Sequence, residues 1–131
     1  MRASLQNYHQ SPRKVRLVAD LIRGKSVPAA QRALAFLPKK SAPAVGKLLS
    51  SALANARALG TAPEQLFVKS IMVNKGSVQK RGRPFARGRS GVIRKTMSHV
   101  TLELGTMQKT ANPENGFADG AGRNQRTEKS K

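Results

Sequence analysis

The chain has 131 residues, with 25 Lys and Arg against 6 Asp and Glu, a formal net charge of +19 and a pI near 11.8. That length holds one small domain with appendages, and a charge so far beyond the needs of solubility calls for a polyanionic partner. No apolar run reaches the roughly 18 residues that span a bilayer, which favours nucleic acid over membrane, and the absence of cysteine excludes disulfide staples and thiolate metal sites.

Residues 2–9 are β-compatible, with Leu5 and Tyr8 as the large apolar anchors. Met1-Arg2 leads into Ala3-Ser4-Leu5-Gln6-Asn7-Tyr8, which lacks the apolar core of a signal peptide, so cytoplasmic residence, or an organelle with its own translation, is expected.

Ser11-Pro12 pairs a capping hydroxyl with a proline at the first helical position. Val15, Val18, Ala19 and Ile22 then recur at helical spacing, joined by Leu21, with Arg13, Arg16, Asp20 and Arg23 opposite, so a helix is expected from about 12 to 23, ended by Gly24. Ser26-Val27-Pro28 repeats the start signal for a short helix carrying Ala29, Ala30, Ala33, Leu34 and Leu37, closed by Pro38. Lys39 and Lys40 read as loop. Ser41-Ala42-Pro43 opens a longer helix in which Val45, Leu48, Leu49, Ala52, Ala56 and Leu59 form an alanine-rich stripe up to Gly60. Small side chains let helix axes approach closely, so this helix is expected to be the spine of the core.

Leu66 to Val73 reads as a strand whose alternation slips: Leu66 and Val68 point one way, Ile71 and Val73 the other. A bulge near Lys69-Ser70 reconciles them. Val100, Leu102 and Leu104 alternate cleanly with His99, Thr101 and Glu103, giving a strand with one wet face. Between these strands lie Lys75, Lys80, Arg81, Arg83, Arg87, Arg89, Arg94 and Lys95, and from Glu64 to Glu103 there is no intervening carboxylate. Such a stretch cannot bury itself. It reads as a two-stranded arm over about 75–97 whose base joins the sheet and whose tip stands roughly 30 Å away. Pro84 and Phe85 place an apolar wedge among arginines, suited to stacking on bases; the alternative is that Phe85 packs on the hairpin's own backbone. From Thr106 to Lys131 the composition is that of a disordered basic tail.

An enzyme is not expected. The six acids never take a spacing that pairs carboxylates, and His9 and His99 have no ligand partners nearby, so neither a catalytic set, a metal site nor a cofactor is expected. The arm's Gly82, Gly88 and Gly91 do not make a P-loop, because no Gly-Lys-Ser/Thr follows a strand. The candidate RNA contacts are Arg13, Lys14, Arg16, Arg23, Lys25, Lys75, Lys80, Arg81, Arg83, Arg87, Arg89, Arg94, Lys95 and His99. For Arg13, Lys14 and Arg16 a plain solvated helix face is the alternative.

Four segments carry a family resemblance: Ser11-Pro12-Arg13-Lys14-Val15-Arg16-Leu17-Val18-Ala19-Asp20-Leu21-Ile22-Arg23-Gly24-Lys25, Ser51-Ala52-Leu53-Ala54-Asn55-Ala56, Pro84-Phe85-Ala86-Arg87-Gly88-Arg89 and Ser98-His99-Val100-Thr101. In this order, across about residues 2–104, they resemble the large-subunit ribosomal protein twenty-two family. The resemblance implies an α+β fold of three helices packed on a small three-stranded antiparallel sheet, with a long extended β-hairpin arm. It implies one globular domain over 1–105 that binds large-subunit rRNA of the 23S type across several of its domains, supports assembly and meets neighbouring ribosomal proteins. It also implies that the tip, Lys80, Arg81, Gly82, Arg83, Pro84, Phe85, Ala86, Arg87, Gly88 and Arg89, lines the nascent-peptide exit tunnel and meets the nascent polypeptide. The Lys80-Arg81 region matches the part of the family's loop linked to macrolide sensitivity. Phe85, where the family usually carries a basic residue, and Gly82-Arg83, where bulkier apolar residues are common, depart from the pattern. No homo-oligomer is expected. The rival reading of the same charges is an architectural DNA-binding protein using its basic arm as a minor-groove wedge.

Overall fold

The computed structural model describes residues 1–106, so the expected tail, apart from Thr106, lies outside the described residues. The elements run β1 (Arg2–Tyr8), α1 (Pro12–Ile22), α2 (Val27–Phe36), α3 (Ala42–Ala58), a 3-10 turn (Pro63–Gln65), β2 (Leu66–Pro84) and β3 (Ser90–Thr106). The sheet is antiparallel with β3 in the centre, in the order β1-β3-β2. Three helices and three strands give the α+β architecture that the resemblance implies.

Rows of paired residues show why one face is dry. Ala3, Leu102 and Ile71 line up across the three strands, as do Leu5, Val100 and Val73, and all but Leu5 are buried. The helices cover this face with Val15, Val18, Ala19 and Ile22 from α1, Ala30 and Leu34 from α2, and Val45, Leu49, Ala52 and Ala56 from α3. The reverse face carries Ser4, Thr101 and Met72, and beside them Arg2, Glu103 and Ser70. There the Ser70 hydroxyl donates to Glu103 Oε2 at 3.1 Å.

The expected bulge is present: Val68 pairs with Leu104 and Ser70 with Glu103, leaving Lys69 as the extra residue, and Leu66, Val68, Ile71 and Val73 all face the core. The stripe on α3 differs from the expected one at its end. The last turn tightens, with Leu59 N–H donating to Ala56 O and Gly60 taking φ +75°, so Leu59 swings out to 70 % exposure while Leu53 is buried. Leu21 likewise lies on the exposed side of α1. Ser11 and Ser26 occupy the N-cap positions of α1 and α2, but neither hydroxyl makes a capping hydrogen bond. The nearby prolines set the entry geometry instead. Thr106, read as the start of the tail, closes β3 opposite Leu66.

The outer edge of β2 would be a row of open backbone groups, and α1 with its following turn closes the part inside the domain. Val68 exchanges hydrogen bonds with Gly24 and Lys25, its carbonyl accepting from Gly24 N–H at 3.0 Å and its N–H donating to Lys25 O at 2.9 Å. Further along, Arg23 Nη2 donates to Ile71 O at 3.3 Å, and Arg16 donates to Val73 O. Past Val73 no other described residue covers the outer edge of the strand, and the arm begins.

Candidate nucleic-acid interface

The arm is a regular ladder for nearly its whole length. Pairing continues from Val78 opposite Thr96 to Pro84 opposite Ser90, so only residues 85–89 form the turn. Ten residues from Lys75 to Pro84 at about 3.3–3.4 Å each carry the tip roughly 30 Å from the base. The turn itself is well suited to a twisted ribbon. Arg89 N–H faces Ala86 O at 3.5 Å, the two residues between, Arg87 and Gly88, both have positive φ (60° and 67°), and Phe85 N–H donates to Arg89 O at 2.7 Å. Positive φ at both central positions is the signature of a type I′ turn, whose twist matches that of the flanking strands.

Register decides how the charge is displayed. Side chains of directly paired residues share a face, so Lys80, Arg94 and Val92 lie on one side of the ribbon, and Arg81, Arg83, Lys95 and Ile93 on the other. Both faces are basic. Lys80 and Arg94 are direct neighbours across the strands, a like-charge pair that costs stability in the isolated ribbon. Among the described residues, the ion pairs are Arg2 with Glu103 at 4.0 Å and Arg23 with Asp20 at 3.0 Å, so none of the arm's cations meets a carboxylate.

At the tip Phe85 combines both readings of its role. Its ring lies against Gly91: a Cβ placed there would stand 2.2 Å from Phe85 Cε2, and the Arg83 guanidinium sits 5.8 Å from the ring centroid. The ring still remains 56 % exposed. Phe85 therefore packs on its own hairpin and offers a surface as well. A free wedge of the kind that pries open duplex DNA would not be held in this way.

The base of the arm separates the candidate residues into two groups. Arg13, Lys14, Lys25 and Lys75 are exposed. Arg16 and Arg23 are exposed too, but their guanidinium groups are already held by the carbonyls of Val73 and Ile71. His99 is held as well: its Nδ1 accepts from Asn7 N–H at 3.2 Å, where β1 breaks register and Asn7 takes φ 53°, and its ring covers Gly76. With Nδ1 accepting, the proton of the neutral ring sits on Nε2. Lys40, read from the sequence as loop, stands with Lys14, Arg94 and Lys95 around one concavity. No local pattern marks it, because the grouping exists only once α1, the α2–α3 loop and β3 have come together.

Among the described residues no group of three His, Cys, Asp or Glu could hold a metal ion, and no helix is long and apolar enough to cross a membrane.

Comparison with known proteins fits this geometry. The sequence profile of the family described as Ribosomal protein L22p/L17e matches residues 3–105, which covers the helices, the arm and all of the sheet but its two end residues, Arg2 and Thr106. A protein from Herpetosiphon aurantiacus named "Large ribosomal subunit protein uL22" is 50 % identical over 102 residues, 77 % of this chain and 90 % of its own length. Proteins of the same name from Rubrobacter xylanophilus (51 % over 106 residues; 80 % of this chain, 84 % of its own length) and Citrifermentans bemidjiense (50 % over 103 residues; 78 % and 93 %) agree. With the domain and its basic arm matched from end to end, the chain belongs to the ribosomal protein L22p/L17e family.

Proposed function

We propose that this protein binds large-subunit rRNA by threading its arm through it, docks the base of the arm on phosphates, and brings the tip, residues 80–89, to the wall of the nascent-peptide tunnel. The coarser statement follows from family membership: the protein is a structural, non-enzymatic constituent of the large ribosomal subunit, has rRNA and other ribosomal proteins as partners, and resides with the ribosome in the cytoplasm. Membership of a ribosomal family also takes the place of the architectural DNA-binding reading.

The observation that carries the finer reading is the two-sided charge of the arm. A ribbon that lay on a flat polyanion would need cations on one face only. Here Lys80 and Arg94 face one way and Arg81, Arg83 and Lys95 the other, with Arg87 and Arg89 at the turn. Only RNA that surrounds the ribbon satisfies both faces, since it supplies phosphates on every side. The unit proposed to dock is the domain over 1–105 with its arm at about 75–97. Within it, Arg13, Lys14, Lys25 and Lys75 are the contacts proposed at the base, and the tunnel-lining role of 80–89 implies contact with the nascent chain.

Counterion release tests the threading. If about eight phosphates meet the arm, log affinity for large-subunit rRNA falls against log salt with a slope near −6 to −7. A slope shallower than about −3 would contradict a threaded arm. Deleting residues 80–90 should leave the protein co-sedimenting with the large subunit while altering assembly or the tunnel; loss of all binding would move the anchoring from the base to the arm.

A further inference from the structure

The two edges of the domain's sheet are finished differently. On β2 the carbonyls of Val68, Ile71 and Val73 all receive donors from α1 and the turn after it. On β1 the register fixes which groups point outward. The Met1 amino group donates to Leu104 O at 3.3 Å and Leu104 N–H donates to Met1 O at 2.8 Å, so in the alternation of an antiparallel ladder Ala3 and Leu5 bond inward to β3, while Arg2 and Ser4 turn N–H and C=O away from the sheet. Arg2 O accepts from Asn55 Nδ2 of α3 at 3.2 Å. Among the described residues nothing meets the N–H or C=O of Ser4. Beside this gap lies a hollow of about 600 Å³, with Ser4, Leu5 and Gln6 on one side and Ser51 and Asn55 of α3 on the other.

We propose that an extended segment of another large-subunit protein lies in this hollow and pairs with Ser4 as a fourth strand beside β1. The proposal rests on the protein's place in the large subunit, which family membership gives, and not on the threading of the arm. Hydrogen bonding is the first reason. Ser4 presents a donor and an acceptor from one residue along an open edge, the pattern that another strand returns. A phosphate oxygen only accepts and would leave the carbonyl unmet.

Charge is the second. In a chain of net charge +19, Arg2 is the one Lys or Arg among the described residues that line the hollow, and it already faces Glu103 Oε1 at 4.0 Å. A surface meant for rRNA gathers cations, as the arm does, whereas a neutral one suits a protein. Shape is the third. Ser51, Ala54, Asn55 and Ala58 recur at helical spacing along the flank of α3, and all four are exposed and uncharged. A strand added to β1 points every second side chain toward the helix layer, and this row of short side chains leaves room for them.

The test uses purified large subunits in which the full chain carries a photo-reactive benzophenone side chain at Gln6 or, separately, at Ser51. Irradiation should join both positions to one stretch of a second ribosomal protein, identified by mass spectrometry. Cross-links to rRNA, to residues 107–131 of the same chain, or to nothing would each overturn the proposal. Amide exchange separates pairing from mere proximity: a peptide covering Ser4 should exchange at least about ten-fold more slowly in the subunit than in the isolated chain, and equal rates would show that no strand is added. Ser4→Pro removes the outward N–H while sparing the ladder to β3, and Ser51→Arg puts a charge into the hollow. Each should lower the yield of the Gln6 cross-link about five-fold, and an unchanged yield in both would overturn the pairing. If Ser4→Pro fails to fold, Ser51→Arg, on the exposed flank, decides alone. A shallow salt slope for rRNA binding would remove the threaded arm and leave these outcomes as they stand.

Discussion

Arg16 donates from both Nε and Nη2 to the carbonyl oxygen of Val73, at 3.2 and 3.1 Å. A guanidinium that reads on the sequence as a phosphate contact thus closes the edge of β2 at the point where the arm leaves the domain. Arg16→Ala should cost about 1–2 kcal/mol, the range for losing hydrogen bonds from a charged donor in a partly buried place. For a domain near 100 residues this lowers the melting temperature by roughly 5–10 °C. Arg13→Ala, on the exposed side, should stay within about 0.5 kcal/mol. Thermal unfolding of both variants checks the contrast, and equal melting temperatures would show that the Val73 contact contributes nothing.

The base of the arm is tight and its outer part is open. A Cβ at Gly76 would lie 3.0 Å from His99 Nε2 and 3.3 Å from the Met97 carbonyl carbon, whereas one at Gly82 meets nothing within 4 Å. Gly76→Ala should therefore destabilise by about 1–2 kcal/mol, since the backbone of β3 must give. Gly82→Ala should be neutral or slightly favourable, because it restricts the unfolded chain without a native clash. Denaturant unfolding distinguishes the two, and similar values would mean that His99 moves aside freely.

Lys80 opposite Arg94 offers a substitution whose effects run in opposite directions. Lys80→Glu replaces repulsion with attraction across the strands, worth about 0.5–1 kcal/mol to the isolated arm. The same change should weaken rRNA binding and make the salt slope shallower by about 1. Amide exchange in the free protein and filter binding with rRNA provide the two readouts. Unchanged affinity would place Lys80 away from phosphate.

A two-stranded ribbon with no third strand and no core is marginal in water. Beyond Lys75 and Ser98 the backbone of the arm, among the described residues, has only its own cross-strand and turn bonds, so its amides should exchange far faster than those of Val100, Leu102 and Leu104 in the free protein. Binding to rRNA should slow them to the rate of the sheet. Protection of the arm before binding would show that the ribbon is stable by itself.

The ring of Phe85 against Gly91 gives the tip a fixed point. Phe85→Ala should leave the melting temperature unchanged and raise exchange at Arg87, Gly88 and Arg89, because the turn loses the packing of the ring on Gly91. Hydrogen exchange resolved by residue measures this, and unchanged exchange would show that the type I′ turn holds without the ring.

Much of this arrangement can be read from the residues. Helical spacing, the prolines at each helix start and the slip in alternation at Lys69 place the three helices and the bulge, because each signal is local and each buries side chains. The extent of the arm, about 75–97 with its tip roughly 30 Å out, agrees with the expected one, but the register of its ladder is hidden for the converse reason. Neither of its faces is buried, so Gln79 to Arg83 shows no hydrophobic alternation, and the pairing rests on backbone bonds that leave no mark on composition. Arg16 and Arg23 make contacts within the domain that are hidden in another way. Their partner carbonyls lie 57 and 48 positions further along the chain, and nothing in a helix predicts which strand edge will pass beside it. Leu59 fails to be buried because the tightening of the last turn of α3 rotates it away, a step that a fixed helical period does not contain.

The two open edges of the arm have a consequence for the protein before it meets RNA. Unpaired strand edges beside Val78, Val92 and Ile93 invite another chain to add a strand, the route by which sheets grow into aggregates. The cations on both faces oppose this, since two arms laid edge to edge would bring their arginines and lysines together. A newly made copy is thereby kept single by the charge that later holds it in place, and neutralising that charge anywhere other than in its binding site should lead to clumping.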